Sequence, residues 1–132
     1  MNNLPQKIEE WFISRKVSKE ILKEFNISWN GKQIIYPIYS PEGKFLYNKY
    51  RRDPFGPEDI PKYTYEKGAT AALYNANRLH TKNSVIITEG ENDVLCLSSL
   101  GYFAVSSTGG AGTFKDEWID LLKDKDVYVA LD

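Results

Sequence analysis

A chain of 132 residues, 42% hydrophobic, 27% charged and 14% aromatic, holds enough apolar material for one core or two small lobes sharing an interface. No apolar run is long enough to span a bilayer and the N-terminus lacks the layout of a secretory signal, so a cytoplasmic protein without membrane association is expected. The single cysteine, Cys96, and single histidine, His80, exclude an internal disulfide and a tetrahedral Cys/His zinc site, while the net charge of -1 conceals a basic stretch (residues 1–84, 14 Lys and Arg against 9 acids) followed by an acidic one (residues 85–132, 3 against 9).

The apolar positions Ile8, Trp11 and Phe12 mark one face of a first short helix. Ser18 has the chemistry of an N-cap for a second, whose inward face is Ile21, Leu22 and Phe25 and whose stop is Asn26. From Ile27 the period changes. Residues 33–39 are rich in β-branched and aromatic side chains, Ser40-Pro41-Glu42-Gly43 is a turn, and residues 44–51 read as a returning strand, so the spacing predicts a β-hairpin. Pro37, which has no N–H to donate, predicts an edge position or a bulge.

The returning strand alternates, with Phe45, Tyr47 and Lys49 on one face and Lys44, Leu46, Asn48 and Tyr50 on the other, before Arg51 and Arg52. Cations with interleaved aromatics and no acid suit a nucleic-acid backbone with rings for stacking, and they equally suit a solvated hairpin face. Residues 53–61, rich in proline and acid, are a loop. Pro61-Lys62-Tyr63 follows, and Ala71, Ala72, Leu73 and Ala76 predict a helix within residues 68–79. His80, in the polar stretch before residue 84, is expected at the surface.

Val85-Ile86-Ile87-Thr88 then reads as a strand buried on both faces that breaks into Glu89-Gly90-Glu91-Asn92-Asp93. Val94, Leu95, Leu97 and Leu100 recur at helical spacing, so strand, tight turn and helix follow one another, with Cys96 as small core filler. Glu89 sits at a strand end, where open parallel sheets gather ligands, and Asp93 points back from the first helical turn. The same acids would also do no more than complement the helix dipole. Beyond Gly101, residues 102–106 form a second strand, Thr108-Gly109-Gly110-Ala111-Gly112-Thr113 a glycine-rich loop, residues 114–122 a helix with Phe114, Trp118, Leu121 and Leu122 inward, and residues 126–131 a third strand ending at Asp132. Crossovers of this length require parallel strands. Backbone amides of Gly109 and Gly110 are candidates to meet an anion, and a plain crossover turn explains the loop equally well.

Glu89-Gly90-Glu91-Asn92-Asp93, Gly101, Gly109-Gly110 and an apolar strand closing on Asp132 resemble the Toprim domain shared by topoisomerases and DnaG-type primases, a family with a glutamate after its first strand and an Asp-x-Asp after its third. Trp11-Phe12 to Arg15, then Ser18, Glu20, Phe25 and Ile27, look like the helical entry of a primase catalytic core. Ile35-Tyr36-Pro37-Ile38, Gly43, Arg51, Pro61-Lys62-Tyr63 and Leu73-Tyr74 match in order its basic nucleotide-handling lobe. Zinc-ribbon cysteines do not precede the core, and the residues after Tyr63 leave the bacterial pattern. Gly109-Gly110-Ala111 looks closer to the Toprim segment fused to replicative helicases in phages. The chain ends on the first aspartate of the presumed Asp-x-Asp, so a piece of a longer protein is expected.

The resemblance implies an α/β fold: a Toprim-like parallel sheet with flanking helices, incomplete at the C-terminus, in residues 83–132, preceded by a small α+β lobe with a β-hairpin in residues 1–82. It implies nucleotidyl transfer that joins ribonucleoside triphosphates on a single-stranded DNA template, with a replicative helicase as partner in cis or in trans. Glu89, Asp93 and Asp132 would be catalytic and would hold Mg2+ or Mn2+, with general base as the other role open to Glu89. Lys49, Arg51 and Lys62 would take phosphates and Tyr63 would stack on a base. Two other readings stand beside this one: a helicase module that grips single strands without polymerising, and a Toprim nuclease or topoisomerase.

Overall fold

Ile8, Trp11 and Phe12 form the buried face of α1 (Gln6–Ser14) in the computed structural model, which describes residues 4–131. Helix α2 (Lys19–Glu24) starts where the Ile21 N–H donates to Ser18 Oγ at 3.2 Å, relieving one of the unpaired amides of a first turn. Asn26 ends it with a positive φ of 57°, a conformation its short polar side chain tolerates.

The β-branched and aromatic run beyond it builds an antiparallel sheet of β1 (Ser28–Trp29), β2 (Gln33–Tyr39), β3 (Phe45–Arg52) and β4 (Tyr63–Tyr65), in that spatial order. Pro37 behaves as its chemistry demands. β1 pairs only with Ile34 and Ile35, so at Pro37 strand β2 has a neighbour on one side alone, and the register slips one residue later between Ile38 and Tyr39.

A second sheet has the order β5 (Leu73–Tyr74), β7 (Ala104–Ser107), β6 (Ser84–Thr88), β8 (Asp126–Ala130). β6 is parallel to both β7 and β8, whereas β5 runs antiparallel along the far edge. Helix α3 (Glu91–Ser99) connects β6 to β7 and packs Val94 and Leu95, both fully buried, under the first sheet. Thus the fold class is as expected: α/β, with a parallel sheet, flanking helices and a preceding hairpin lobe.

Three local expectations change. The helix foreseen in residues 68–79 is instead β5 followed by a 3₁₀ helix, Ala76–Thr81. Pairing of Leu73 and Tyr74 with Ser107 and Ser106 overrides the helical preference of the alanines, and Asn75, at φ 72°, breaks any continuous turn while its Nδ2 donates to the Ala104 carbonyl at 3.0 Å. The segment after the glycine loop is 3₁₀ over Asp116–Leu122, and Trp118 alone in it is buried, so little packing rewards a full α-helical stripe. Strand β6 buries Val85 and Thr88 but leaves Ile86 and Ile87 half-buried, because its neighbour β8 is exposed along its length.

The two regions divided at residue 82 share material. β5 lies before that point but belongs to the second sheet, and Ile8, Phe12, Leu22, Ile34, Tyr36, Ile38 and Tyr74 form one core cluster with Val94, Leu95 and Ala104. On the opposite face of the second sheet, Leu73, Leu79, Val85, Val105 and Trp118 make a smaller core. His80 is exposed and Cys96 packs half-buried against the main core. Among the described residues no helix is long and apolar enough to cross a membrane.

Burial of the Tyr36 and Tyr74 phenols raises both well above their ordinary value of 10.0, with the Glu91 carboxylate adding to the effect. The unfolded chain ionises these groups near pH 10 while the folded chain resists, so their contribution is complete below that pH and is lost as pH rises through the folded values. Stability is therefore expected to fall by about 1.4 kcal/mol per phenol for each pH unit gained above about 10. Urea unfolding followed between neutral pH and about pH 11, with tyrosinate absorbance recorded alongside, checks this. A flat unfolding midpoint across that range contradicts it.

Candidate active site between the two sheets

Strand β6 ends at Thr88, and the chain turns through Glu89 and Gly90 into the first turn of α3. Glu89 is half-buried and Asp93 exposed. A Cβ added to Gly90 would lie 4.0 Å from Asp93 Oδ2, so the Asp93 carboxylate lies beside the N-cap of α3. Asp132, the third acid expected here, lies outside the described residues. Among the described residues no group of three or more His, Cys, Asp or Glu converges as a metal cage. Glu89 and Asp93 offer hard carboxylate oxygens, the donor type Mg2+ and Mn2+ take, and such ions keep several waters and use one or two carboxylates together with substrate phosphates.

Lys49 is where structure and expectation part most clearly. The β3 face carrying Tyr47, Lys49 and Arg51 turns inward, leaving Lys49 only 5% exposed. Its ammonium donates to Glu91 Oε1 at 2.9 Å, Glu91 Oε2 at 3.0 Å and the Thr108 carbonyl at 2.7 Å. The rings of Tyr63 and Tyr65 lie over it at 4.6 and 5.3 Å. An ammonium has three protons, and all three are engaged, so in this arrangement Lys49 binds protein rather than a phosphate. Burial raises the Glu91 pKa, with the Lys49 charge and hydrogen bonds acting against that rise.

Arg51 is 8% exposed, stacked with its guanidinium carbon 4.9 Å from the Trp11 ring centre, and donates to the Arg52 carbonyl at 2.7 Å. Its buried Nε has no hydrogen-bond partner among the described residues. Tyr63 sits beside it, half-buried, its pKa raised by burial first and then by Glu91, with Arg51 opposing and Asp93 adding a smaller push upward. Lys62 is exposed. Of the residues expected to meet nucleotide, Lys62 stands in solvent, Tyr63 and Arg51 border the acidic turn, and Lys49 lies beneath it.

The glycine-rich loop departs from its anion-binding expectation in detail. The Gly109 N–H donates to Ser107 Oγ at 3.2 Å and the Gly110 N–H to the Ser107 carbonyl at 3.2 Å, so these two amides are engaged within the loop. Glycine is nonetheless required. A Cβ at Gly109 would sit 2.7 Å from Thr113 Oγ1, and Gly110 holds a positive φ of 92°.

Thr108, just before the loop, is fully buried and tied on every polar atom. Its N–H donates to the Ala72 carbonyl at 2.9 Å, and its Oγ1 accepts from the Ala72 N–H at 3.0 Å. The Tyr47 hydroxyl donates to the Thr70 carbonyl at 2.8 Å, so the Thr108 hydroxyl is the donor in the 2.7 Å contact between the two side chains. The Thr108 carbonyl also accepts from the Tyr65 hydroxyl. On the other flank, the buried Tyr36 hydroxyl donates to Asn92 Oδ1 at 2.7 Å.

Sequence reasoning therefore missed Glu91, Asn92, Thr108, Tyr36, Tyr47 and Tyr65 as the groups that join the basic sheet to the acidic turn. One signal was present. Alternation set Lys49 on the same face as Phe45 and Tyr47, and a cation within an aromatic face calls for a buried carboxylate.

No protein-family model matches the chain, and no curated protein matches its sequence. Solved structures do. The Aquifex aeolicus primase, zinc-binding and RNA polymerase domains, superposes with a TM-score of 0.78 at 18% identity, covering 97% of this chain and 43% of that one. A DnaG primase catalytic domain bound to single-stranded DNA gives 0.74 at 18% identity, over 98% of this chain and 55% of that one. A complex of the bacteriophage T7 lagging-strand DNA polymerase with the primase domains of two gp4 subunits gives 0.70 at 20% identity, over 91% of this chain and 64% of the matched one. The chain thus has a primase-type fold and spans about half the length of the structures it resembles.

Removing one partner of a buried ion pair strands the other charge. Lys49→Met is expected to cost about 3–5 kcal/mol in denaturant unfolding, well above a surface lysine substitution. A loss within the surface range of about 0.5 kcal/mol would mean that the ammonium is not buried as described.

Proposed function

We propose that this chain is part of a DNA primase catalytic core that joins ribonucleoside triphosphates on a single-stranded DNA template, its second sheet being a Toprim-type domain. The observation that carries the reading is the primase-type fold with an acidic strand-to-helix turn set against a basic sheet. Glu89 and Asp93, together with Asp132, would hold Mg2+ or Mn2+, which in phosphoryl transfer lowers the pKa of the attacking hydroxyl and neutralises triphosphate charge.

The chain's own residues supply position and field. Asp93 keeps its carboxylate against the Gly90 turn, one helical turn from Glu89 in sequence, and with Glu89 would present negative charge at the end of β6. Lys62, exposed with its ammonium 5.8 Å from the Tyr63 ring centre, would take a template or triphosphate phosphate by charge alone. Arg51, with an unengaged Nε, would offer a donor to phosphate from the rim once a ligand draws it out, and Tyr63 beside it would stack on a base. A replicative helicase, in cis or in trans, is the partner such a core would serve.

Glu89→Gln keeps the shape of the side chain and removes its charge. In a primer-synthesis assay with single-stranded template, ribonucleotides and Mg2+ or Mn2+, it is expected to lower the rate by at least about 10²-fold with an unchanged circular dichroism spectrum. A wild-type rate would remove Glu89 from the mechanism. Salt-sensitive binding of single strands by wild-type protein with no primer under any metal condition favours a non-catalytic binding module. Lys62→Ala is expected to weaken single-strand binding for all sequences alike and to reduce the logarithmic salt slope by about 0.7. An unaltered slope in a salt titration of binding sets Lys62 outside the interface.

A further inference from the structure

Lys49 is a charged group whose contacts reach both loops of the candidate site. Its ammonium holds both oxygens of Glu91, which stands between Glu89 and Asp93, and also the Thr108 carbonyl, which opens the Gly109-Gly110 loop. The Lys49 and Glu91 side chains are 7% and 2% exposed. Sequence separations of 42 and 59 residues make these bonds purely tertiary. Neither helix capping nor strand pairing requires them, for Gly90 caps α3 without a side-chain bond and β3 pairs through its backbone.

We infer that Lys49 is a positioning residue, a three-armed latch that holds the first turn of α3 and the entry to the glycine loop at a set distance from the basic sheet. The inference deepens the nucleotidyl-transfer reading and rests on it for the purpose of the latch. Its two carboxylate bonds lock the rotation of the turn that carries Glu89 and Asp93, and its carbonyl bond ties that turn to the strand end next door. Tyr36 to Asn92 and Tyr65 to Thr108 flank the latch on the two sides, so the ammonium is the point where both restraints meet. A neutral pair of similar volume would fill the same space without a directional hold.

The test separates filling from positioning. Lys49→Met with Glu91→Leu removes both charges together, and this double variant is expected to unfold at a denaturant concentration no lower than wild type. Amide hydrogen exchange within residues 89–93 and 107–113 is expected to accelerate about tenfold, while the β2–β3 hairpin exchanges as before. Half-saturation by Mn2+, followed by electron paramagnetic resonance, is expected to rise about tenfold. Unchanged exchange in both segments together with an unchanged Mn2+ midpoint would overturn the latch and leave the pair as packing alone. Should the double variant not fold, Lys49→Arg carries the same exchange readout, because a planar fork cannot reproduce three bonds diverging from one nitrogen. Accelerated exchange in a protein whose wild type neither binds Mn2+ nor makes primer keeps the latch and removes the nucleotidyl-transfer reading. Unchanged exchange in the variant, when the wild type does make primer, removes the latch and keeps the nucleotidyl-transfer reading.

Discussion

A lysine ammonium withdrawn from water, bonded to two carboxylate oxygens and a backbone carbonyl, is the contact on which the arrangement of this molecule depends. Desolvating both charges offsets much of their attraction, so the pair adds less net stability than its short distances suggest. Its geometry is another matter. An apolar interface tolerates sliding, whereas an ammonium with three defined acceptors has few orientations that satisfy every proton. Two sheets of different construction, one antiparallel and one mainly parallel, thereby meet in one register.

Around that contact the tyrosines form a polar seam within an otherwise apolar core. Tyr36 reaches Asn92, while Tyr47 and Tyr65 reach Thr108; the Tyr36 and Tyr47 rings fill core volume, Tyr65 lies at the exposed edge, and each hydroxyl finds a partner across the junction. The chain from the Ala72 N–H through the Thr108 and Tyr47 hydroxyls to the Thr70 carbonyl runs donor to acceptor without a break. Such a run polarises along its length and holds its members in one orientation. The elevated phenol pKa values along the seam have the same origin, since burial and the nearby Glu91 carboxylate both disfavour a second negative charge.

The acidic turn sits above this seam at the carboxyl end of a parallel strand, where β6 must release its backbone into α3. Strand ends in parallel sheets leave a crevice because successive crossovers depart to different sides. Tyr63, beside Arg51 on the first sheet, lies within electrostatic reach of Glu91 and Asp93 in the first turn of α3, so the basic and acidic stretches of the chain adjoin there.

The sequence alone determined what short-range physics controls. Ser18 as a cap, Asn26 as a stop, the hairpin about Ser40 to Gly43, the irregularity at Pro37 and the strand, glycine, helix order around Gly90 were all legible, because each follows from the backbone preferences of a few neighbouring residues. That Asp93 falls in the first turn of the helix that follows Glu89 and Gly90 was legible for the same reason. Tertiary structure decided the rest. Whether Leu73 and Tyr74 lie in a helix or a strand depended on an edge of β7 more than thirty positions away, and whether Lys49 faces solvent or protein depended on a carboxylate 42 residues distant. Alternation tells which residues of a strand share a face; it cannot tell which face is covered, because burial belongs to the partner that arrives, and that partner lies elsewhere in the chain.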